Sequence, residues 1–273
     1  MDGEGKIGAD FRGGSQSVDR ALMLLSHVAR GDGAANMADL SHASGLARPT
    51  IRRLMLALIR AGLVEQDALT RRYALGPEAY VLGVMAQRRF NLLEVAMTSL
   101  LALSEESEDS SFLSVRRGAY SVCLHRQDGA FPIRTHALQT GDRHPLGVGA
   151  GGMAMLAALP DAEVALVRAE TENELASNYP AFSPEVLEEG IAQCRARGWA
   201  LNAGLYLAKS WGIAVALRAP TGDVLGALSI AALDNRMDEA RQSRLACLLR
   251  REARVVERRL QKRFAAYGGP DEQ

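Results

Sequence analysis

The chain has 273 residues, enough for two domains, and at 48% hydrophobic content it can fill two cores, mostly with aliphatic side chains because aromatics are only 5%. Its 32 basic residues balance 32 acidic ones, which excludes a protein drawn to nucleic acid by global charge. No apolar run approaches the ~20 residues of a membrane span, the polar N-terminus has no signal-peptide core, and Cys123, Cys194 and Cys247 lack metal-type spacing. The expectation is a cytoplasmic protein with reduced thiols, no metal, no cofactor and no membrane association.

Residues 1–15 are rich in glycine and charge and are expected to be disordered. A helix is expected from about Ser17, with Val18, Leu22, Leu25 and Val28 inward, stopping near Gly33. Met37, Leu40, Ala43 and Leu46 then recur at the spacing of a short helix that ends at Gly45. A second amphipathic run places Ile51, Leu54, Met55, Leu58 and Ile59 on one face and is closed by Gly62. Residues 63–66 and 71–75 alternate like two strands joined by 67–70. Helix, turn, helix and hairpin in that order predict a winged helix-turn-helix over residues 16–77. His27 and His42 fall here without partner ligands at useful spacing and are read as structural.

The charge of this stretch is local. Arg48, Arg52, Arg53, Arg60, Arg71 and Arg72 stand against Glu65 and Asp67, six against two, an excess of four positive charges. Arginine can fork two hydrogen bonds to a guanine edge in the major groove, and a flanking or wing cation can neutralise phosphate. Arg48, Pro49, Thr50, Arg52 and Arg53 are therefore the candidate contacts of the second helix with double-stranded operator DNA, and Arg71 and Arg72 those of the wing. Arg48 or Arg52 is expected to read base edges, the others phosphate.

Gly76 and Pro77 mark a boundary, and apolar helices follow over 78–89 and 91–106. Strands are expected at 112–115, 120–124 and 131–135, helices at 149–158, 161–169 and 184–197, and further strands at 199–202, 212–218 and 225–232. A long helix is expected over 237–264, and the ten Lys and Arg from Arg236 to Arg263 are read as the wet face of an apolar stripe through Leu245, Leu248, Leu249, Val256, Leu260 and Phe264; residues 265–273 are read as a loose tail. Antiparallel hairpins with segregated helices give an α+β class for residues 107–264.

Gly147, Gly149 and Gly152 match G-x-G-x-x-G, but the preceding 141–145 reads as a proline-containing loop rather than a strand, so a dinucleotide site is rejected. The glycines leave backbone N–H groups at a helix start open to a small anion. No nucleophile elbow or Cys/His constellation appears, and His125, His136 and His144 are expected to point in different directions, so neither an enzyme nor a zinc site is expected. The rival reading is a small-molecule-binding enzyme with an accessory winged helix.

The words Gln16-Ser17-Val18-Asp19-Arg20-Ala21-Leu22, Ala38-Asp39-Leu40, Gly45-Leu46, Thr50-Ile51-Arg52-Arg53-Leu54 and Arg72-Tyr73-Ala74-Leu75-Gly76 resemble the isocitrate lyase regulator (IclR) family of bacterial transcription factors, and the resemblance runs to about Leu260. It implies an N-terminal winged helix-turn-helix, linker helices over 78–106 that make dimer contacts, and a C-terminal GAF-like effector-binding domain. It also implies a homodimer or homotetramer on a near-palindromic operator, responding to a small organic acid. By this resemblance the effector site takes Leu138, Gly149, Ala150, Gly151, Asn202, Gly212, Ser229 and Ala231. The family's usual His and Lys are missing from 146–153, and Asn202 and Ala203 stand where acidic residues are common. Gly212 replaces a common Cys or Ser, and 205–208 replaces an acidic stretch. A roomier, more apolar cavity is expected, fitting an acid with a sizeable apolar body, aromatic bodies included, its carboxylate at the amides of 149–151.

Overall fold

The computed structural model of the chain describes residues 16–30, 34–87, 92–133 and 138–266, and it divides into two compact units, Met1–Phe90 and Asn91–Gln273. The expected N-terminal tail, the helix stop at 31–33 and His136 lie outside the described residues.

The first unit opens with α1 (Gln16–Arg30), α2 (Met37–Ser44) and α3 (Arg48–Arg60). The Asn36 side chain accepts hydrogen bonds from the amides of Ala38 and Asp39 at 2.8 and 3.0 Å, and the Asp39 carboxylate accepts one from Asn36 N at 3.0 Å. This reciprocal cap starts α2, and Gly45 ends it in the left-handed conformation (φ +65°) that the sharp turn into α3 requires. Pro49 sits in the first turn of α3, where its missing N–H costs no helical bond. Ile51, Leu54, Met55 and Leu58 are buried as their spacing predicts, against Leu24, Val28 and Leu40.

For α1 the expected face is corrected. Val18 and Leu22 are exposed, Leu24 and Val28 are buried, and the helix is already formed at Gln16, so Ser17 is not its cap. The apolar residues of α1 outnumber what one core face can take, and the third helix selects which of them it covers. A short hairpin of β1 (Val64–Gln66) and β2 (Tyr73–Leu75) follows, with Glu65 opposite Ala74, and α4 (Pro77–Gln87) begins at the expected proline.

The second unit runs α5 (Leu92–Ser107), β3 (Ser110–Arg117), β4 (Tyr120–Gln127), β5 (Arg143–Pro145), α6 (Gly149–Ala157), α7 (Asp161–Asn178), α8 (Pro184–Arg197), β6 (Ala200–Leu207), β7 (Ser210–Arg218), β8 (Val224–Leu233) and α9 (Glu239–Ala266). The strands form one six-stranded sheet in the order β5-β4-β3-β8-β7-β6, antiparallel at every pairing. Alternation along the strands splits the core. Leu113, Val115, Ile213, Val215, Leu228 and Ile230 pack with α5 and α9 on one face. Ala214 and Ala227 pack with α6 and α8 on the other. Leu92, Val95, Ala96, Leu100 and Leu103 put α5 inside the first of these cores, so this helix is built into the second unit.

Several expectations change. No strand forms at 131–133, the described part of the expected strand 131–135. The edge strand is β5, in the stretch read as a loop: Pro145 has no N–H to give, and an edge position opposite Tyr120 tolerates that. The helix expected over 161–169 continues to Asn178, because Thr171 and Leu175 extend its buried row past the acidic residues between them. At the chain end α9 reaches Ala266, past the expected start of a loose tail at 265, and Phe264 is exposed rather than part of the buried stripe.

Candidate functional site

On α3, the residues that alternate with the buried row are the arginines. Arg48, Pro49, Arg52, Arg53 and Arg60 are exposed and Thr50 is half-buried. Among the described residues no carboxylate pairs with any of these arginines, so their guanidinium groups remain available to an outside anion. The wing is pinned from within. The Asp67 carboxylate accepts hydrogen bonds from Leu69 N at 3.0 Å, Thr70 N at 2.5 Å and Thr70 Oγ1 at 2.8 Å. Those bonds from Thr70 first, and then from Leu69, hold the Asp67 carboxyl below its ordinary pKa. The tight turn puts Arg71 at φ +57°, exposed, while Arg72 Nη1 donates to Ala34 O at 3.4 Å and is tied toward the start of α2. The wing therefore offers Arg71 freely and Arg72 partly engaged.

The second concentration of chemistry is a pocket between the start of α6 and the face of the sheet beneath it. All eight residues expected for the effector site border it: Leu138, Gly149, Ala150 and Gly151 from one side, and Asn202, Gly212, Ser229 and Ala231 from the strands. The sheet side is small by sequence. A Cβ on Gly212 would stand 3.2 Å from that of Ala150, so glycine there is what lets α6 settle this close to β7. Val148 contributes no side-chain cap to α6, and among the described residues the amides of Gly149, Ala150 and Gly151 find no acceptor. These are the groups on which the positive end of a helix dipole is concentrated.

The pocket departs from expectation in size and in its polar minority. Its volume is about 80 Å³ and it is partly open to solvent, so it is a compact site rather than a roomy one. Its surface is mainly apolar, but Ser114, Ser121, Ser210 and His144 border it together with Asn202. His144 and Tyr206 were not among the expected site residues. The signal was weak, since His144 lies in a three-residue strand beside a proline, and its approach to the pocket depends on pairing with Ser121 across β4 and β5.

The imidazole is held firmly. His144 Nδ1 lies 2.9 Å from the Tyr179 hydroxyl, and the ring meets Tyr179 and Tyr206 edge-on at 5.9 and 5.0 Å between centroids. Burial lowers the His144 pKa from its ordinary value, against the opposing pull of Asp142 and Glu174, so the ring is neutral at neutral pH. Burial likewise raises Tyr179 and Tyr206, which stay protonated. His125 is elsewhere, on β4 outside the pocket, and among the described residues no group of three His, Cys, Asp or Glu could hold a metal ion. The G-x-G-x-x-G glycines make the tight passage from β5 into α6, with φ of +101° at Gly147 and +69° at Gly149. A short strand does precede them, but in a wholly antiparallel sheet there is no βαβ unit, so the dinucleotide reading fails on topology.

A winged helix-turn-helix with unpaired arginines, on the same chain as an α+β unit holding a small pocket, defines the class of DNA-binding transcriptional regulators with a separate effector domain. The chain belongs to the IclR family of that class: the IclR helix-turn-helix domain matches residues 17–68, and the bacterial transcriptional regulator IclR C-terminal domain matches residues 84–258. It is 27% identical over 242 residues to the HTH-type transcriptional regulator BhcR of Paracoccus denitrificans, covering 89% of this chain and 86% of that protein. Among solved structures it resembles an IclR transcriptional regulator from Silicibacter sp. TM1040, with a TM-score of 0.76, 27% identity, and coverage of 89% of this chain and 96% of that one. It also shares the fold of an IclR homologue from Microbacterium hydrocarbonoxydans, solved with 4-hydroxybenzoate, at TM-score 0.71 and 21% identity over 90% of this chain and 99% of that one. The family is one of regulators and repressors, and the chain is a transcription factor rather than an enzyme. Among the described residues no helix is long and apolar enough to cross a membrane.

Proposed function

We propose that this regulator binds a near-palindromic operator in the cytoplasm as a dimer or tetramer and changes its grip on DNA when a small organic acid enters the α6 pocket. The observation that carries the DNA half is the exposed, unpaired set Arg48, Arg52 and Arg53 on one face of α3. In this reading Arg48 or Arg52 enters the major groove, its neighbours and Arg71 hold phosphate, and residues 78–106 transmit the state of the effector domain. Self-association is supported by α4, where Tyr80, Val81, Leu82, Val84 and Met85 are all exposed, and by Val18 and Leu22 on α1.

The effector is an acid no bulkier than a single ring. The mainly apolar lining of a compact pocket that is partly open to solvent supports an acid with an apolar body of that size. Its carboxylate is placed at the amides of Gly149, Ala150 and Gly151. The related Microbacterium protein, complexed with 4-hydroxybenzoate, makes monocyclic aryl acids the first class to try. A mobility-shift assay on DNA upstream of the protein's own gene, with and without a panel of aryl and short aliphatic acids, tests both halves. Sequence-specific retention that an acid alters supports the reading; retention independent of sequence overturns it.

A further inference from the structure

We infer that His144 is the specificity residue of this pocket, and that it recognises a hydroxyl group on the ring of a small aryl carboxylic acid. The inference rests on the reading of the pocket as an effector site. Among the described residues, four buried side-chain atoms lack a hydrogen-bond partner: Ser99 Oγ, His125 Nε2, His144 Nε2 and Arg241 Nε. Of these only His144 Nε2 belongs to a residue that borders the pocket, and that nitrogen is itself covered. A buried nitrogen without a partner is costly, and a ligand group that meets it recovers that cost on binding.

The rest of the ring is already committed. Nδ1 is engaged with the Tyr179 hydroxyl at 2.9 Å, and Tyr179 and Tyr206 flank the imidazole edge-on, so Nε2 cannot turn away to find water. If Tyr179 donates to Nδ1, then Nε2 carries the proton and donates; if Nδ1 donates to Tyr179, then Nε2 accepts. A hydroxyl group answers either tautomer, whereas a hydrogen, methyl or halogen at that ring position answers neither.

The ligand's polarity is assigned by the same geometry. A neutral imidazole is a poor seat for a carboxylate, while the free amides at the start of α6 are a good one. The acid end therefore lies at Gly149, Ala150 and Gly151 and the hydroxyl end at His144, with one ring between them in the partly open pocket. Tyr179 is a positioning residue: it touches the imidazole rather than the ligand and fixes where Nε2 points.

Calorimetry on the full chain with 4-hydroxybenzoate and benzoate tests the assignment. The wild type is expected to bind the hydroxy acid about tenfold more tightly, the ratio one well-made hydrogen bond supplies. His144→Phe, which keeps an aromatic ring in place, is expected to bring the ratio to about one by weakening the hydroxy acid alone. Tyr179→Phe, which leaves His144 but removes its anchor, is expected to lower the ratio severalfold, and it serves if His144→Phe melts below the assay temperature. Equal binding of the two acids by the wild type, or a ratio unchanged by either substitution, overturns the role of His144 while leaving the effector site standing. Failure of both acids to bind the wild type overturns the assignment of an aryl acid to this pocket, and failure of the short aliphatic acids as well overturns the effector reading itself.

Discussion

Two arginine-rich helices, α3 and α9, look alike in composition and differ in what their charges meet. On α3, Arg48, Arg52, Arg53 and Arg60 are exposed and, among the described residues, meet no carboxylate. Around α9 several arginines are engaged, although Arg244, Arg254 and Arg258 are exposed and, among the described residues, meet no carboxylate. Arg236 and Arg241 converge on Asp109 at 3.2 and 2.7 Å, and Arg251 pairs with Glu106 and Glu252. Arg263 pairs with Glu94 at 2.7 Å, and Arg259 donates to Val95 O and Thr98 Oγ1. On α3 the cations are left for a partner outside the chain; around α9 several of them bind the chain itself, at α5, at Asp109 and at Glu252. The count of basic residues therefore does not by itself locate a nucleic-acid surface.

The contrast can be broken at its strongest point first. Asp109 is 4% exposed and holds two guanidinium groups, so Asp109→Ala leaves Arg241 without its carboxylate and Arg236 with only Glu108 at 3.6 Å, and is expected to cost about 3 kcal/mol of stability, read by denaturant unfolding. On α3 the effect moves from stability to binding. Arg52→Ala is expected to cost about 1–3 kcal/mol of operator affinity and to relax preference at one base position, with an unchanged melting temperature. If its melting temperature falls instead, α3 is using that arginine as α9 uses its own. Arg263→Ala, at a half-exposed pair with Glu94, is expected to cost no more than about 1 kcal/mol of stability and to leave operator affinity unchanged. Arg71→Ala gives the finest test: the slope of log affinity against log salt is expected to fall by about 0.9, weakening all DNA sequences alike.

Much of this was readable from residue order. The turn glycine Gly45, the buried row from Ile51 to Leu58 and the arginines between them are local signals, because helical period and caps act within a few residues. The eight expected pocket residues do border one pocket, though they came from likeness to a family rather than from any pattern in the chain. What failed was long-range. Which apolar residues of α1 face inward depends on where α3 packs, and β5 exists only because β4 offers it an edge.

The sequence by itself determined the winged helix, its charged face and the α+β alternation that follows, since each of these is set by side-chain period, capping and turn chemistry. Only the tertiary structure decided that the pocket is compact and that His144, its Nε2 buried without a partner, borders it, because those outcomes depend on strand register and on rings brought together from positions 144, 179 and 206. It alone also decided which arginines of α9 are paired within the chain. Charge is a property of a residue, but whether that charge is available is a property of its surroundings.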